Sequence, residues 1–479
     1  MNSIPVNYFT KTKILCTLGP ATSSTEDIKR LINIGCNGVR LNFSHGSYSF
    51  YDELFDNIHK ARVETASPLA VLVDLQGPKI RIGELEEDEI LIEDGKSIEI
   101  TTENIKGNSR IISCSYKNLH IDAQTGDMIL IDDGLISLKV KGKTDKSVIC
   151  DIISGGIIRP RKGMNLPGMK LSTPSITEKD FRDLEYIIQK RVDYVALSFV
   201  RSSQDVLELK KWLKEKGKDI SIIAKIEKKE AVDDLDSIIN AADGIMIARG
   251  DLGVELPPQQ VPVIQKKIIK KCNSVGKMVI TATQMLESMI SNPVPTRAEA
   301  SDVANAVWDG TEVAMLSGET AVGKFPFRAV KVMHDIILNS ENNISVNAIK
   351  EYSTPSDPEE NQFDSIGKAV VSISKQIKAD AIVVFTYKGR TARLISKYRP
   401  DSTIIAISDS FETINNLCLR WGIASLFMND IDKEHVAIDR AKKMILESGH
   451  VKNKDILIFT AAAPYSEKSR SNWIKIESV

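Results

Sequence analysis

Residues 220–250 read ISIIAKIEKKEAVDDLDSIINAADGIMIARG. An apolar, β-branched run (220–227) gives way to the amphipathic pattern AVDDLDSIINAA and then to a second apolar run (244–250). That is strand, helix, strand, the repeating unit of a parallel sheet. Similar runs lie at 11–18 (KTKILCTL), 38–44 (GVRLNFS), 68–75 (PLAVLVDL), 193–200 (DYVALSFV), 277–285 (KMVITATQM) and 312–318 (EVAMLSG). Most are followed by helical patterns such as TEDIKRLINIG, DVLELKKWLKEKG and VPVIQKKIIKKCNSVG, with Gly or Asn as the stop. Eight strands alternating with helices at a period of roughly 25–35 residues predict an α/β fold, a closed (β/α)8 barrel of the TIM type.

The alternation breaks once. From 77 to 174 the chain carries Gly-punctuated alternating runs (ILIEDGKSIEI, DMILIDDGLISLKV, SVICDII) with few helical stretches, which predicts a small all-β unit inserted in a βα loop. Loops at that face of a barrel carry its active site, so the insert is a candidate lid. The polar stretch SVNAIKEYSTPSDPEENQ then marks a linker. The expected division is barrel at 1–76, lid at 77–174, barrel again at 175–345, and at 346–479 a C-terminal open α/β unit for effector binding or oligomerisation.

Composition narrows the function classes. The 479 residues include 63 basic and 64 acidic side chains, so no overall field draws the chain to nucleic acid or to an anionic membrane. No apolar stretch approaches the ~18–20 residues of a membrane span, and MNSIPVNYFTKTK lacks a signal-peptide core, so a cytoplasmic protein is expected. Six scattered cysteines without a CxxC pair read as buried free thiols.

In a strand, residues two apart share a face. Arg40, Asn42 and Ser44 therefore point together, as do Lys225 and Glu227. Burying such groups costs several kcal/mol unless they pair with each other or with a ligand. Other strand ends agree: Asp74, then Arg249, Gly250 and Asp251, then Thr283 and Gln284, then Ser317, Gly318 and Glu319. All converge on the C-terminal rim, where barrels do their chemistry. Glu227 and Asp251, hard oxygen ligands from neighbouring strands, suit Mg2+. Gly250 and Asp251 open a helix start, where free N–H groups can hold an anion.

The strings KTKILCTLGPAT, GVRLNFSHG, AKIE, IMIARGDLGVELP, ATQMLESMI, PTRAEASDVANAV and MLSGETAVGKFP resemble, in order, the signatures of the pyruvate kinase family. The resemblance implies transfer of the phosphoryl group of phosphoenolpyruvate to ADP, giving pyruvate and ATP in the last step of glycolysis. It implies Lys225 as the charge that stabilises the transferring group, and Mg2+ on Glu227 and Asp251, with Mn2+ able to stand in. Arg40, Gly250, Asp251 and Thr283 match substrate-binding positions, and Thr283 and Ser317 are candidates for delivering a proton to the enolate. Arg81 and Lys162 (in RKGMNLPG) match nucleotide-phosphate positions, with Asn42 and His45 as further nucleotide contacts.

Asn42, Ser44, Asp74 and the carbonyl of Leu75 match the family's monovalent-cation pocket. In VDLQGPKIRIG, however, Lys79 stands where cation-dependent members carry glutamate and Leu75 where they carry threonine. The resemblance is thus to the K+-independent type, with the Lys79 ammonium replacing the ion. Thr386, Tyr387, Lys388, Gly389, Arg390 and Thr391 look like the family's effector loop for a phosphorylated ligand, a sugar phosphate or AMP. Lys388 and the tail TAAAPYSEKSRSN depart from the usual pattern. A homotetramer is the family's usual assembly. The competing expectations are another Mg2+-dependent barrel acting on phosphoenolpyruvate or an oxoacid, and a catalytically dead metabolite sensor.

Overall fold

The structure, a computed structural model, describes residues 9–479 apart from 45, 344–351, 356, 430, 432–433, 463–464 and 467–469. His45 lies outside the described residues.

The parallel strands Lys13–Thr17, Gly38–Asn42, Ala70–Asp74, Tyr194–Leu197, Ser221–Ile226, Gly244–Ala248, Met278–Ala282 and Val313–Leu316 close a barrel, the last pairing with the first. Each sits inside one of the apolar runs. The runs overshoot because their polar ends leave the ladder: after Ala282, Thr283 (φ +65°) and Gln284 (φ +55°) turn the chain off the seventh strand. Alternation within the strands then sorts the core. Leu15, Leu72, Ala196, Ile223, Met246 and Ile280 fill the barrel interior, whereas Val39, Leu41, Val71, Val73 and Ile222 face outward against the helices. Burying one such side chain contributes about 1.5–3 kcal/mol. Capping boxes at Ser24/Asp27, Thr177/Asp180 and Thr296/Glu299 satisfy orphan N–H groups and fix where three of the barrel's helices start.

Between the third and fourth barrel strands the chain builds the all-β insert. Its six-stranded sheet runs in the order Met164–Asn165, Met128–Ile131, Ile136–Lys143, Ser147–Ser154, Ser97–Thr101, Ile111–Ser113, and Gly156–Ile158 pairs separately with Ile90–Ile92. A core of its own, including Ile98, Ile100, Ile129, Leu138 and Val148, holds the insert together. The chain enters and leaves it side by side, Arg81 bridging antiparallel to Gly163.

The C-terminal unit is an open sheet in the order Ile423–Phe427, Thr403–Ser408, Ala381–Phe385, Ile456–Ala461, Trp473–Ser478, parallel except for the last strand. It is not a detached appendage. Its residues Cys418 and Leu419 belong to the hydrophobic cluster that fills the barrel interior. All six cysteines are free and buried.

Candidate active site

The strand-end residues form one connected network. Asp74, buried at the end of the third strand, receives Arg40 on one oxygen (Nε and Nη2, each 2.7 Å from Oδ2) and Lys225 on the other (Nζ–Oδ1 3.2 Å). Lys225 also meets Glu227 Oε1 at 2.9 Å and donates to Ser198 Oγ at 2.7 Å. Arg40 further donates to Thr17 Oγ1 at 3.1 Å. Period two explains the pairing of Lys225 with Glu227. The register Asn42↔Asp74 and Ala196↔Asp74 brings Arg40 and Ser198 to the same carboxylate.

Burial opposes the charge on Lys225, but Asp74 and then Glu227 outweigh it, so the ammonium titrates above the ordinary lysine value. Burial would raise Asp74, and Lys225 and Arg40 reverse that and hold it below the usual carboxylate range. Glu227 goes the other way. Burial pushes its carboxyl up, Lys225 pulls it down, and the nearby Asp251 pushes it up again. The rim thus holds a lysine kept protonated by its neighbours beside the Arg40 guanidinium, and a carboxylate pair that a further cation would relieve.

Among the described residues no cluster of three or more His, Cys, Asp or Glu side chains is preassembled to hold a metal. Glu227 and Asp251 nonetheless fit Mg2+, which takes one or two carboxylates and fills its shell from water and substrate oxygens. Glu227 Oε2 is fixed by the Phe199 N–H at 2.7 Å, a bond that needs Phe199 in the left-handed region (φ +54°). Gly250 and Asp251 lie in the short helix Arg249–Glu255, where the Gly250 N–H donates to Thr283 Oγ1 at 2.9 Å and that hydroxyl donates to the Ala282 carbonyl at 2.7 Å. A Cβ at position 250 would meet Thr283 Oγ1 at 3.6 Å, ordinary contact, so hydrogen bonding and not crowding ties the two loops. Arg249 is structural: it pairs with Asp302 at 2.6 Å and donates to the Thr283 carbonyl.

Ser317 Oγ is buried without a hydrogen-bond partner, while its N–H donates to Glu319 Oε2 at 2.7 Å. Glu319 also takes the Leu286 N–H, so it clamps the seventh and eighth loops. Asn42 Oδ1 accepts the Ser44 N–H at 3.3 Å and the Leu75 carbonyl accepts Ser198 Oγ at 2.7 Å. Lys79 is exposed and lines a narrow cleft with Asp251, Phe199 and Lys228. In the insert, Lys162 pairs with Asp132 at 2.9 Å and Arg81 donates to the Arg161 carbonyl at 3.0 Å. The loop 386–391 joins the strand Ala381–Phe385 to the helix Arg390–Lys397, with Gly389 at φ +76° as its N-cap. There Arg390 pairs with Glu360 (2.9 Å), Thr391 shares a 2.8 Å hydrogen bond with Ser471, and Tyr465 donates to the Thr386 carbonyl (3.0 Å).

Sequence reasoning missed Ser198, although the signal was present: in DYVALSFV it shares the inner face of Tyr194 and Ala196. The Phe199 N–H has no sequence signal, because it depends on a backbone conformation rare for that residue.

A barrel mouth that fixes a lysine and an arginine around buried carboxylates, in a barrel carrying an all-β insert between its third and fourth strands, defines a barrel phosphotransferase. Comparison with known proteins narrows the class. The family models for the pyruvate kinase barrel domain and the pyruvate kinase alpha/beta domain match residues 9–330 and 364–477. The pyruvate kinases of Staphylococcus aureus strains MRSA252 and USA300 are each 43% identical over 476 residues, which is 98% of this chain and 80% of theirs. The crystal structure of a pyruvate kinase from Cryptosporidium parvum superposes with a TM-score of 0.90 at 39% identity, covering 98% of this chain and 96% of that one. The chain belongs to the pyruvate kinase family.

Proposed function

We propose that the rim transfers the phosphoryl group of phosphoenolpyruvate to ADP. The bond from phosphorus to the enol oxygen breaks, one to the terminal phosphate oxygen of ADP forms, and the enolate left behind takes a proton on carbon to give pyruvate. The observation that carries this reading is Lys225 held between Asp74 and Glu227, with Arg40 on the far oxygen of Asp74.

Lys225 and Arg40 supply preorganised positive charge to a transferring group whose oxygens carry negative charge. Because its neighbours raise the pKa of Lys225, it stays protonated and acts through charge, not as the proton donor. Bound between Glu227 and Asp251, Mg2+ would neutralise phosphoryl and carboxylate oxygens, and Mn2+ would serve in its place. Gly250, Asp251 and Thr283 hold the substrate carboxylate. Thr283 and Ser317, the latter with an unpartnered buried hydroxyl, are the groups placed to relay a proton to the enolate.

Arg81 and Lys162 take the nucleotide phosphates when the lid bends at the Arg81–Gly163 bridge, with Asn42 as a further contact on the barrel side. Lys79, in the cleft with Asp251, makes K+ dispensable. The loop 386–391 binds a phosphorylated effector, and the assembly is a homotetramer that engages neither nucleic acid nor membrane. No helix among the described residues is long and apolar enough to cross a membrane; the site of action is the cytoplasm. Pyruvate release measured with Mg2+ and both substrates, and with each substrate omitted in turn, tests the reading. Omitting ADP must abolish it, and pyruvate formed without ADP would favour a different phosphoenolpyruvate enzyme.

A further inference from the structure

A short stretch of the C-terminal unit, Asn415–Trp421, lies against the starting ends of the barrel strands whose finishing ends carry the rim network. Asn415 Oδ1 accepts the Leu69 N–H at 3.1 Å, just before the strand that ends in Asp74. Tyr194, opening the strand that leads to Ser198, donates its hydroxyl to the Asn416 carbonyl at 2.5 Å. Leu419 is fully buried and closes the barrel interior from below, in one cluster with Leu15, Ala70 and Leu72. A Cβ on Gly38 would lie 2.8 Å from Leu419 Cδ2, so the second strand approaches Leu419 this closely only as glycine. Gly38 and Arg40 share the inner face of that strand.

The helix leading into this stretch, Phe411–Leu417, reaches the loop at 386–391. Thr413 Oγ1 donates to the Tyr387 carbonyl at 2.9 Å, and Leu417 Cδ2 would lie 3.0 Å from a Cβ on Gly389.

We propose that Leu419 and Asn415 are positioning residues for phosphoenolpyruvate. They form the floor on which the strands bearing Arg40 and Asp74 rest, and through Thr413 they pass movements of the loop 386–391 to the rim. The physical basis is close packing. A barrel interior at crystal-like density cannot absorb a displaced leucine, so the strands shift as stiff units. A misplacement of about 1 Å at a binding group can cost on the order of 100-fold. The proposal rests on the assignment of Arg40 and Asp74 to the phosphoenolpyruvate site.

Steady-state kinetics on the full chain test it, with thermal unfolding and circular dichroism recorded beside them. Leu419→Ala should raise KM for phosphoenolpyruvate about fivefold or more, with kcat within about twofold and KM for ADP unchanged. Leu419→Met, which restores the volume, should recover most of the effect. Asn415→Ala should move the same constant in the same direction and decides the matter if Leu419→Ala does not fold. Thr413→Val, remote from the rim, should give a smaller shift of the same sign. Folded Leu419→Ala or Asn415→Ala with a lower melting temperature but an unchanged KM for phosphoenolpyruvate would reduce the floor to a structural support and overturn the proposal. An unchanged KM in Thr413→Val alone would overturn the link to the loop. If the unmodified chain makes no pyruvate at all, the rim assignment fails and the inference with it.

Discussion

In the proposed reaction Lys225 is the residue on which the chemistry turns, and its contacts suggest how it would act. An ammonium held by Asp74, Glu227 and Ser198 cannot swing away, so its charge is in place before substrate arrives. Lys225→Met should therefore lower kcat by about 100–1,000-fold while the circular dichroism spectrum and melting temperature stay near those of the parent. Turnover within tenfold of the parent would contradict a transition-state role. Glu227 makes a separate prediction. Its raised pKa means that metal affinity, read by Mn2+ effects on water proton relaxation, should begin to fall with acid at a higher pH than for an ordinary carboxylate. Glu227→Gln should weaken Mn2+ binding at every pH. A second buried lysine, Lys13, opens the first barrel strand and costs stability. It donates to the Thr10 carbonyl at 2.8 Å, and burial lowers its pKa to about 8 despite Glu341. The unfolded chain binds the proton more tightly, so the cost of burying this charge is full below pH 8 and fades as pH climbs toward 10.5. Lys13→Met should raise stability near neutral pH by about 2 kcal/mol, after allowance for the lost hydrogen bond, and the gain should vanish at high pH. Urea unfolding of both proteins at pH 7 and pH 10 checks the sign.

At the scale of elements, the barrel was legible because its strands are apolar runs interrupted by charge at period two. Arg40 and Asn42, or Lys225 and Glu227, have no place in a buried strand unless they converge. The all-β insert was legible for the opposite reason, a switch from helical period to alternation between Gly turns. What escaped the sequence are contacts without a local period. Phe199 contributes through left-handed backbone, and Leu419 enters the barrel from another unit hundreds of residues downstream. The insert carries its own prediction. Arg81→Ala should raise KM for ADP and leave KM for phosphoenolpyruvate unchanged, since Arg81, bridged to Gly163 where the insert begins and ends, is proposed for the nucleotide, and Arg40, in the barrel, for phosphoenolpyruvate. Lys79 lines the cleft that Asp251 also lines. Activity with a bulky organic cation as the only monovalent salt should match that in KCl, and Lys79→Glu should create a K+ requirement. Strong stimulation of the unmodified chain by K+ would remove Lys79 from this role.

For the whole molecule, the barrel and the all-β insert have cores of their own, and the C-terminal sheet has its own cores but also sends Cys418 and Leu419 into the barrel interior; under the proposed function the barrel would hold the phosphoryl donor and the insert would bring the nucleotide. The family match covers both the barrel and the C-terminal unit. The central claim is that the Arg40–Asp74–Lys225–Glu227 network moves one phosphoryl group between two bound substrates. Phosphorus NMR of the chain mixed with phosphoenolpyruvate, ADP and Mg2+ observes that event directly. The phosphoenolpyruvate resonance should decay as the γ-phosphate of ATP grows, one for one, and Lys225→Met should leave both nearly still over the same interval. Phosphoenolpyruvate lost to inorganic phosphate, or ATP formed as fast by Lys225→Met as by the parent, would contradict the account.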